Sequence, residues 1–387
     1  MKLLHVYSGN LFGGIESMLG ACAQAAPSCP SLHQEFALCF DDRLAADLRQ
    51  TDCSVHHLGS VRLSRPTTVG AARQALDAVL VSGHFDRVIC HAPWTQAIFG
   101  TVVRGRGVPL VFWAHDVMTG RHWTERGAKF VVPDLVVCNS AFTAGTVDRL
   151  YPRTPTVVVH PPVSAAGSFA RHTSSATNLP SHPAHARQQV RASLDTPLSA
   201  FVIVQASRCE PWKGHALLLD ALAELADEPN WMWWLIGGAQ RPKEEAFMAT
   251  LRRSAERAGL VERIRWVGQR SDVGALLAAA DVYCQANLEP EPFGIAFIEA
   301  LAAGLPVVTV GQGGACEIVD RACGVLTPPH NPRALAAALR RLLRDQAARD
   351  HLSRQAPERA RHLCEPTAQL RALHGSLQWT MPARVAA

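Results

Sequence analysis

Short apolar runs alternate with longer stretches in which apolar residues recur every three or four positions. In the first half, runs at 2–7, 35–40, 87–90, 110–113, 135–138 and 156–160 predict strands, and the spacing at 15–24 and 67–81 predicts helices. Strand–helix alternation of this kind predicts a parallel sheet covered on both faces. The same order restarts at 200–205 and continues at 231–236, 264–267, 282–285 and 307–310. Two successive α/β domains are expected, over 1–163 and 196–361. Residues 164–195 between them are rich in Ser, Ala, His, Thr and Pro and read as a linker. His172, His182 and His185 fall there without an acidic or cysteine partner, so no metal site is expected. The tail is amphipathic over 362–379; a terminal helix in 362–387 is expected to cross back to the first domain, with a frayed end at 381–387.

Composition narrows the function classes. Of 387 residues, 48% are apolar and 18% charged, so a large core forms and global disorder is excluded. The net charge of +5 is too diffuse for a nucleic-acid partner and suits phosphorylated small molecules or an anionic lipid surface. Eleven cysteines, with no C-x-x-C pair, argue against a disulfide framework or a zinc site and for buried thiols in a reducing compartment. The opening apolar run is too short for a signal-peptide core, and no run approaches the ~18 residues of a membrane span. A cytoplasmic location is expected.

Two stretches in the second half carry the most chemistry. Glu289-Pro-Glu291-Pro-Phe293-Gly294-Ile295 leads into an apolar run that contains Glu299 and ends at Gly304. On one helix, Glu291 and Glu299 would lie ~12 Å apart. That separation suits gripping two ends of an extended ligand better than sharing a proton. Peptide N–H groups around Phe293, Gly294 and Ile295 would be free at a helix start to meet oxygen atoms. Solvated surface carboxylates are the plain alternative, opposed by the apolar neighbours of Glu299. In Ser207-Arg208-Cys-Glu-Pro-Trp212-Lys213-Gly214, two cations directly follow a strand, where a diphosphate can be neutralised.

Other candidates are weaker alone. Leu11-Phe12-Gly13-Gly14 opens a helix after the first strand but does not match G-x-G-x-x-G, which lowers a dinucleotide-dehydrogenase reading. His115 ends the run at 110–113, and His91 ends another and could line the same region. Asn139-Ser140, before a helix expected over 141–150, reads first as its cap. Gly268-Gln-Arg270 follows a strand, with Gly268 free to let its backbone approach a ligand. The tryptophans of 231–234 read as sheet core. No D-x-D triplet occurs.

The spacing of Glu291 and Glu299 resembles the E-x7-E signature of retaining GT-B glycosyltransferases, the glycogen-synthase and mannosyltransferase-like group called family four. Arg208 and Lys213 resemble that family's R-x4-K element. The resemblance covers about residues 1–343 and implies two Rossmann-like domains facing each other across a cleft. It also implies that Glu291 contacts the donor sugar and Glu299 the ribose hydroxyls. Arg208 and Lys213 would hold the diphosphate, Gly13 and Gly14 would touch phosphate or acceptor, and His115 would orient the sugar. Gly268 and Arg270 would lie under the base. The implied reaction moves a sugar from a nucleotide diphosphate sugar, UDP- or GDP-linked, to a hydroxyl of a carbohydrate, lipid-linked or small-molecule acceptor, with retention. No cofactor and no metal are expected, since Arg208, Lys213 and helix N-termini can take over a cation's electrostatic task.

A nucleotide-sugar 2-epimerase of the same fold, or a non-catalytic sugar- or lipid-binding subunit, is the alternative. Arg104, Arg106, Arg121, Arg126 and Lys129, interleaved with Trp113, Met118 and Trp123, are read as a rim for peripheral membrane contact, a solvated face being the plain alternative.

Overall fold

The computed structural model describes residues 1–9, 13–164 and 183–378. The chain divides into two units, Met1–Val163 with Cys364–Ala387, and Ser164–Leu363. The first holds seven strands: β1 (Lys2–Tyr7), β2 (His33–Leu38), β3 (Ser54–His57), β4 (Arg87–His91), β5 (Leu110–Ala114), β6 (Leu135–Cys138) and β7 (Thr156–Val158). They form an all-parallel sheet in the order β3-β2-β1-β4-β5-β6-β7. The order reverses between β1 and β4, the place where ligands gather in such sheets. Alternate residues face opposite sides of a strand. Leu4, Val6, Val88, Cys90 and Leu110 therefore share one apolar cluster with helix residues such as Leu76 and Phe99, while His5, His91 and Trp113 point to the other face.

The second unit holds β8 (Phe201–Ala206), β9 (Trp231–Ile236), β10 (Ile264–Gly268), β11 (Val282–Gln285), β12 (Val307–Val310) and β13 (Gly324–Thr327). Its all-parallel order, β10-β9-β8-β11-β12-β13, reverses between β8 and β11. Trp231, Trp233 and Trp234 are buried in this sheet, as their run predicts. Truncating one such residue to alanine costs about 3–5 kcal/mol.

The differences from the sequence reading have local causes. Strand β3 (Ser-Val-His-His) is a half-exposed edge with one apolar residue, and β13 is an edge opening on glycine, so neither shows an apolar run. Strand β2 starts two residues earlier than expected because its pairing with β1 begins at His33. The stretch at 141–150 is no single helix. It splits into Ala141–Ala144 and a 3-10 turn at Val147–Arg149, where the Thr146 hydroxyl donates to the Thr143 carbonyl at 2.7 Å.

Part of the expected linker is helical. Pro183–Ser193 is tied to the second unit by Arg187 and by the buried Arg191, which meet Asp281 at 2.6 and 2.7 Å. Arg191 also donates to the carbonyls of Ala279, Leu198 and Ala200, which repays its burial. His172 and His182 lie outside the described residues, and His185 is exposed. The tail forms two helices, Gln346–Cys364 and Pro366–Gln378, because Pro366 cannot continue the first and Glu365 caps the second. The helix Pro366–Gln378 packs on Gly14–Ala25 within the first unit. Trp379 and the segment 381–387 lie outside the described residues.

The expected rim is corrected in part. Trp113 and Met118 are fully buried, Arg104 pairs with Asp134 at 2.8 Å, and Arg106 pairs with Asp77. The exposed apolar residues there are Trp123, Phe130 and Val132, beside exposed Arg121, Arg126 and Lys129. Phe130 and Val132 escaped the sequence reading because they fall outside its periodic runs. All eleven cysteines are unpaired, and all but Cys53 and Cys316 are buried. Among the described residues, no helix is long and apolar enough to cross a membrane.

Candidate functional site

In the second unit the loops after β8 and β11 flank the reversal point and are locked together. Lys213 ends the first loop, and its ammonium lies 2.8 and 3.1 Å from the two carboxylate oxygens of Glu291. Gly214 follows at φ +73°, and a Cβ there would run into the Ala286 carbonyl. Only glycine lets the two backbones approach this closely. One further bond ties them: Leu288 N–H donates to the Trp212 carbonyl at 2.8 Å. The Gln205 amide, on β8, donates to the Lys213 carbonyl at 3.0 Å and holds the first loop against its own strand. The Lys213 ammonium also sits 3.8 Å from the centre of the Trp212 ring. Arg208 donates to Glu210 at 2.8 Å, and Trp212 Nε1 donates to the same carboxylate at 3.2 Å.

Glu291 lies before the helix, which starts after Gly294 as expected, so the ~12 Å on-helix separation from Glu299 does not apply. Glu291 sits in an isolated bridge with Gly313, and the Gly314 N–H donates to its carbonyl at 2.7 Å. Its carboxylate also accepts from Asn287 at 2.5 Å and from Gln285 at 3.3 Å. The helix is Ile295–Ala302, opened by Gly294 at φ +113° and closed through Gly304, whose N–H donates to the Leu301 carbonyl. Phe293 is buried beneath the turn. The N–H groups of Gly294 and Ile295 have no acceptor among the described residues. Glu299 lies half-buried on this helix with no hydrogen bond or ion pair to its carboxylate among the described residues. Burial pushes its carboxyl up to about 7.

At the end of β10, a Cβ on Gly268 would meet nothing within 4 Å. Arg270 is exposed and bonded in bidentate fashion to Asp272, at 2.8 and 2.6 Å. Among the described residues, no group of three or more His, Cys, Asp or Glu side chains is placed to hold a metal ion.

In the first unit, Gly13 caps the helix Gly14–Ala25, and its N–H donates to Glu16 at 2.9 Å. The Tyr7 hydroxyl donates to the other Glu16 oxygen at 2.6 Å. Gly14 is exposed, and Leu11 and Phe12 lie outside the described residues. His115 follows β5 and is 8% exposed, with its carbonyl bonded to the Asn139 amide at 2.9 Å. His91 does not line a surface as expected; it is fully buried, 2.9 Å from His115. Burial lowers the His115 imidazole to about 3.

Sequence reasoning missed Gln285, Asn287 and Glu210, which hold the charged groups, and His5 and Gln34 behind His91. The signal for the first two was available: Gln285 and Asn287 alternate at the carboxyl end of a strand, just before Glu291.

The family model described as "Glycosyl transferases group 1" matches residues 186–359. A D-inositol 3-phosphate glycosyltransferase of Nocardioides sp. is 30% identical over 322 residues, covering 75% of this chain and 67% of that protein. The protein of the same name from Salinispora tropica is 30% identical over 324 residues, covering 76% and 64%. The chain thus spans about two thirds of the length of these relatives. Among solved structures, Anabaena HepE in complex with UDP and glucose superposes with a TM-score of 0.81 at 23% identity, over 98% of this chain and all of that one. With two Rossmann-like parallel sheets and these relatives along three quarters of its length, the chain belongs to the group 1 glycosyl transferases and is a glycosyltransferase of GT-B architecture.

Proposed function

We propose that the protein moves a sugar from a nucleotide diphosphate sugar, with UDP as the leading nucleotide, to an acceptor hydroxyl, retaining the anomeric configuration. The observation that carries this reading is the joined pair of loops after β8 and β11, which sets Arg208, Lys213 and Glu291 around one reversal point of a parallel sheet. HepE, of the same fold, was solved with UDP and glucose.

Lys213 spends two of its three N–H donors on Glu291, leaving one for a phosphate oxygen. Arg208 holds Glu210 through Nη2 and keeps its Nε and Nη1 donors for the diphosphate. The backbone N–H groups of Gly294 and Ile295 add donors for the same charge. Glu291, fixed by Lys213, Asn287 and Gln285, accepts from sugar hydroxyls, and Glu299 accepts from the ribose. Gly268 and Arg270 take the base, Gly13 and Gly14 approach phosphate or acceptor, and His115 orients the reacting sugar. The bond from the anomeric carbon to the phosphate oxygen breaks, the acceptor oxygen bonds the same face, and the acceptor proton passes to the departing phosphate. Metal independence belongs to this proposal, because fixed cations and dipoles supply the stabilisation.

Thermal stabilisation by UDP, GDP and ADP and their glucosyl or mannosyl forms tests the reading. A hundred-fold excess over Kd adds about 2.7 kcal/mol of stability. Stabilisation by none of them would remove the donor site. Inversion at C2 of the donor incubated alone would replace transfer by the epimerase reading.

A second proposal is peripheral contact with an anionic membrane from the cytoplasmic side. It is favoured by exposed Trp123, Phe130 and Val132 beside Arg121, Arg126 and Lys129. Co-sedimentation with vesicles should rise with phosphatidylglycerol content and fall with salt; indifference to both would dismiss it.

A further inference from the structure

We propose that Gln34, His5 and His91 are positioning residues that lock His115 in a single tautomer, so that its Nδ1 presents a lone pair and accepts a hydrogen bond from a substrate hydroxyl. The identity of that substrate rests on the transferase reading above; the lock itself rests on four side chains of one unit.

The polarity of the chain is set at its far end. The Gln34 amide nitrogen donates to the Cys22 carbonyl at 3.3 Å, which leaves the amide oxygen facing His5. That oxygen can only accept, so the His5 Nε2, 3.1 Å away, carries a proton. A neutral His5 then has a bare Nδ1, which lies 2.9 Å from His91 Nε2, so His91 must carry its proton there. The same step repeats. His91 Nδ1 is bare and lies 2.9 Å from His115 Nε2, which must donate. The remaining His115 nitrogen, Nδ1, is bare, and no described residue bonds it.

Neutrality of all three rings follows from their burial. Desolvation lowers His5 to about 4, His115 to about 3, and His91 well below the usual range. The rings also lie edge to edge in nearly parallel planes, 21° and 22° between successive members. Phe36 covers one end at 5.0 Å and Trp113 lies 5.7 Å from His115. Three imidazole dipoles thus point head to tail, and their polarisation strengthens the terminal acceptor.

Two chemical consequences follow. A bare nitrogen repels phosphate and carboxylate oxygens and accepts from an alcohol, so the group that meets His115 is a sugar or acceptor hydroxyl. The chain also ends on a peptide carbonyl, which cannot take a proton. It therefore holds a hydroxyl in place without conducting its proton away, and the departing phosphate remains the proton's destination.

The test uses the whole chain labelled with 15N-histidine. Long-range nitrogen–proton correlation, without any sugar, should show three neutral rings protonated at Nε2 from about pH 5 to about pH 8. A His115 ring protonated at Nδ1, or one that titrates in this range, would overturn the lock. His91→Phe keeps an aromatic ring in place and cuts the chain. His115 should then show mixed tautomers, and kcat for UDP release from UDP-glucose should fall about 10- to 100-fold with KM little changed. That is the loss a metal-bound histidine suffers when its outer partner is removed. His91→Gln, which can both donate and accept, should recover part of the rate. Wild-type kcat in His91→Phe, or no recovery in His91→Gln, counts against the proposal. If His91→Phe does not fold, the wild-type spectrum and His91→Gln decide. If the wild-type chain turns over neither UDP-glucose nor GDP-mannose, the transferase reading fails while the spectrum still decides the lock.

Discussion

At the carboxyl ends of β4 and β5 the polar groups are neutral rings, whereas the loops after β8 and β11 carry a lysine, an arginine and carboxylates. The two sheets share a winding and each has one reversal point, so topology does not separate their chemistry. What separates them is how polarity is stabilised. In the first unit, burial strips charge, and hydrogen-bond direction carries the information. In the second, charge is kept and each ion is anchored by an opposite partner. The proposed function uses this division, giving the charged leaving group to the second arrangement and an uncharged hydroxyl to the first.

The largest test of this division is Arg208→Ala. Steady-state UDP release should fall about 10²- to 10³-fold, the usual cost of losing one donor to a developing anion. Arg208 is a third exposed, so the melting temperature should hardly move. Near-wild-type release would break the comparison on its charged side.

A smaller effect separates charge from architecture. Lys213→Met leaves Glu291 with only Asn287 and Gln285, so both activity and melting temperature should drop. Adding Glu291→Gln should restore the melting temperature and not the activity. A pair whose two losses simply add would show that the ions act independently.

Glu299→Gln is smaller again. In the proposed role Glu299 accepts from the ribose, and its loss should then weaken UDP binding about tenfold by calorimetry. Its carboxyl is raised to about 7, above the ordinary carboxylate range. The associated stability is therefore full below that ordinary range and lost as pH rises through about 7. Melts at pH 5 and pH 8 should differ less in the variant than in the wild type. Smallest of all, EDTA should leave UDP release unchanged; a large loss would mean that the two cations do not suffice.

Much of this was legible in the chain. Parallel α/β architecture followed from apolar runs, because strands buried on both faces are apolar throughout. The edge strands β3 and β13 were not, since an edge needs few apolar side chains. Arg208, Lys213, Glu291 and Glu299 were visible as a spaced pattern, but their pairing was not. That Lys213 grips Glu291 depends on two loops separated by more than seventy residues meeting at Gly214. The histidines illustrate the same limit. His91 and His115 could each be placed at a strand end, yet the link to His5 and Gln34 exists only through the neighbour order β2-β1-β4-β5.

The contact at Gly214 also bears on how this enzyme can be redesigned. Because the stretches 207–214 and 286–294 interlock backbone to backbone, neither can be exchanged for a homologous segment without its mate; a chimera carrying one would misfold. Gly268 is different: it has open room around it, but at φ +74° any side chain would strain the backbone, so free space alone does not make it a site for redesign.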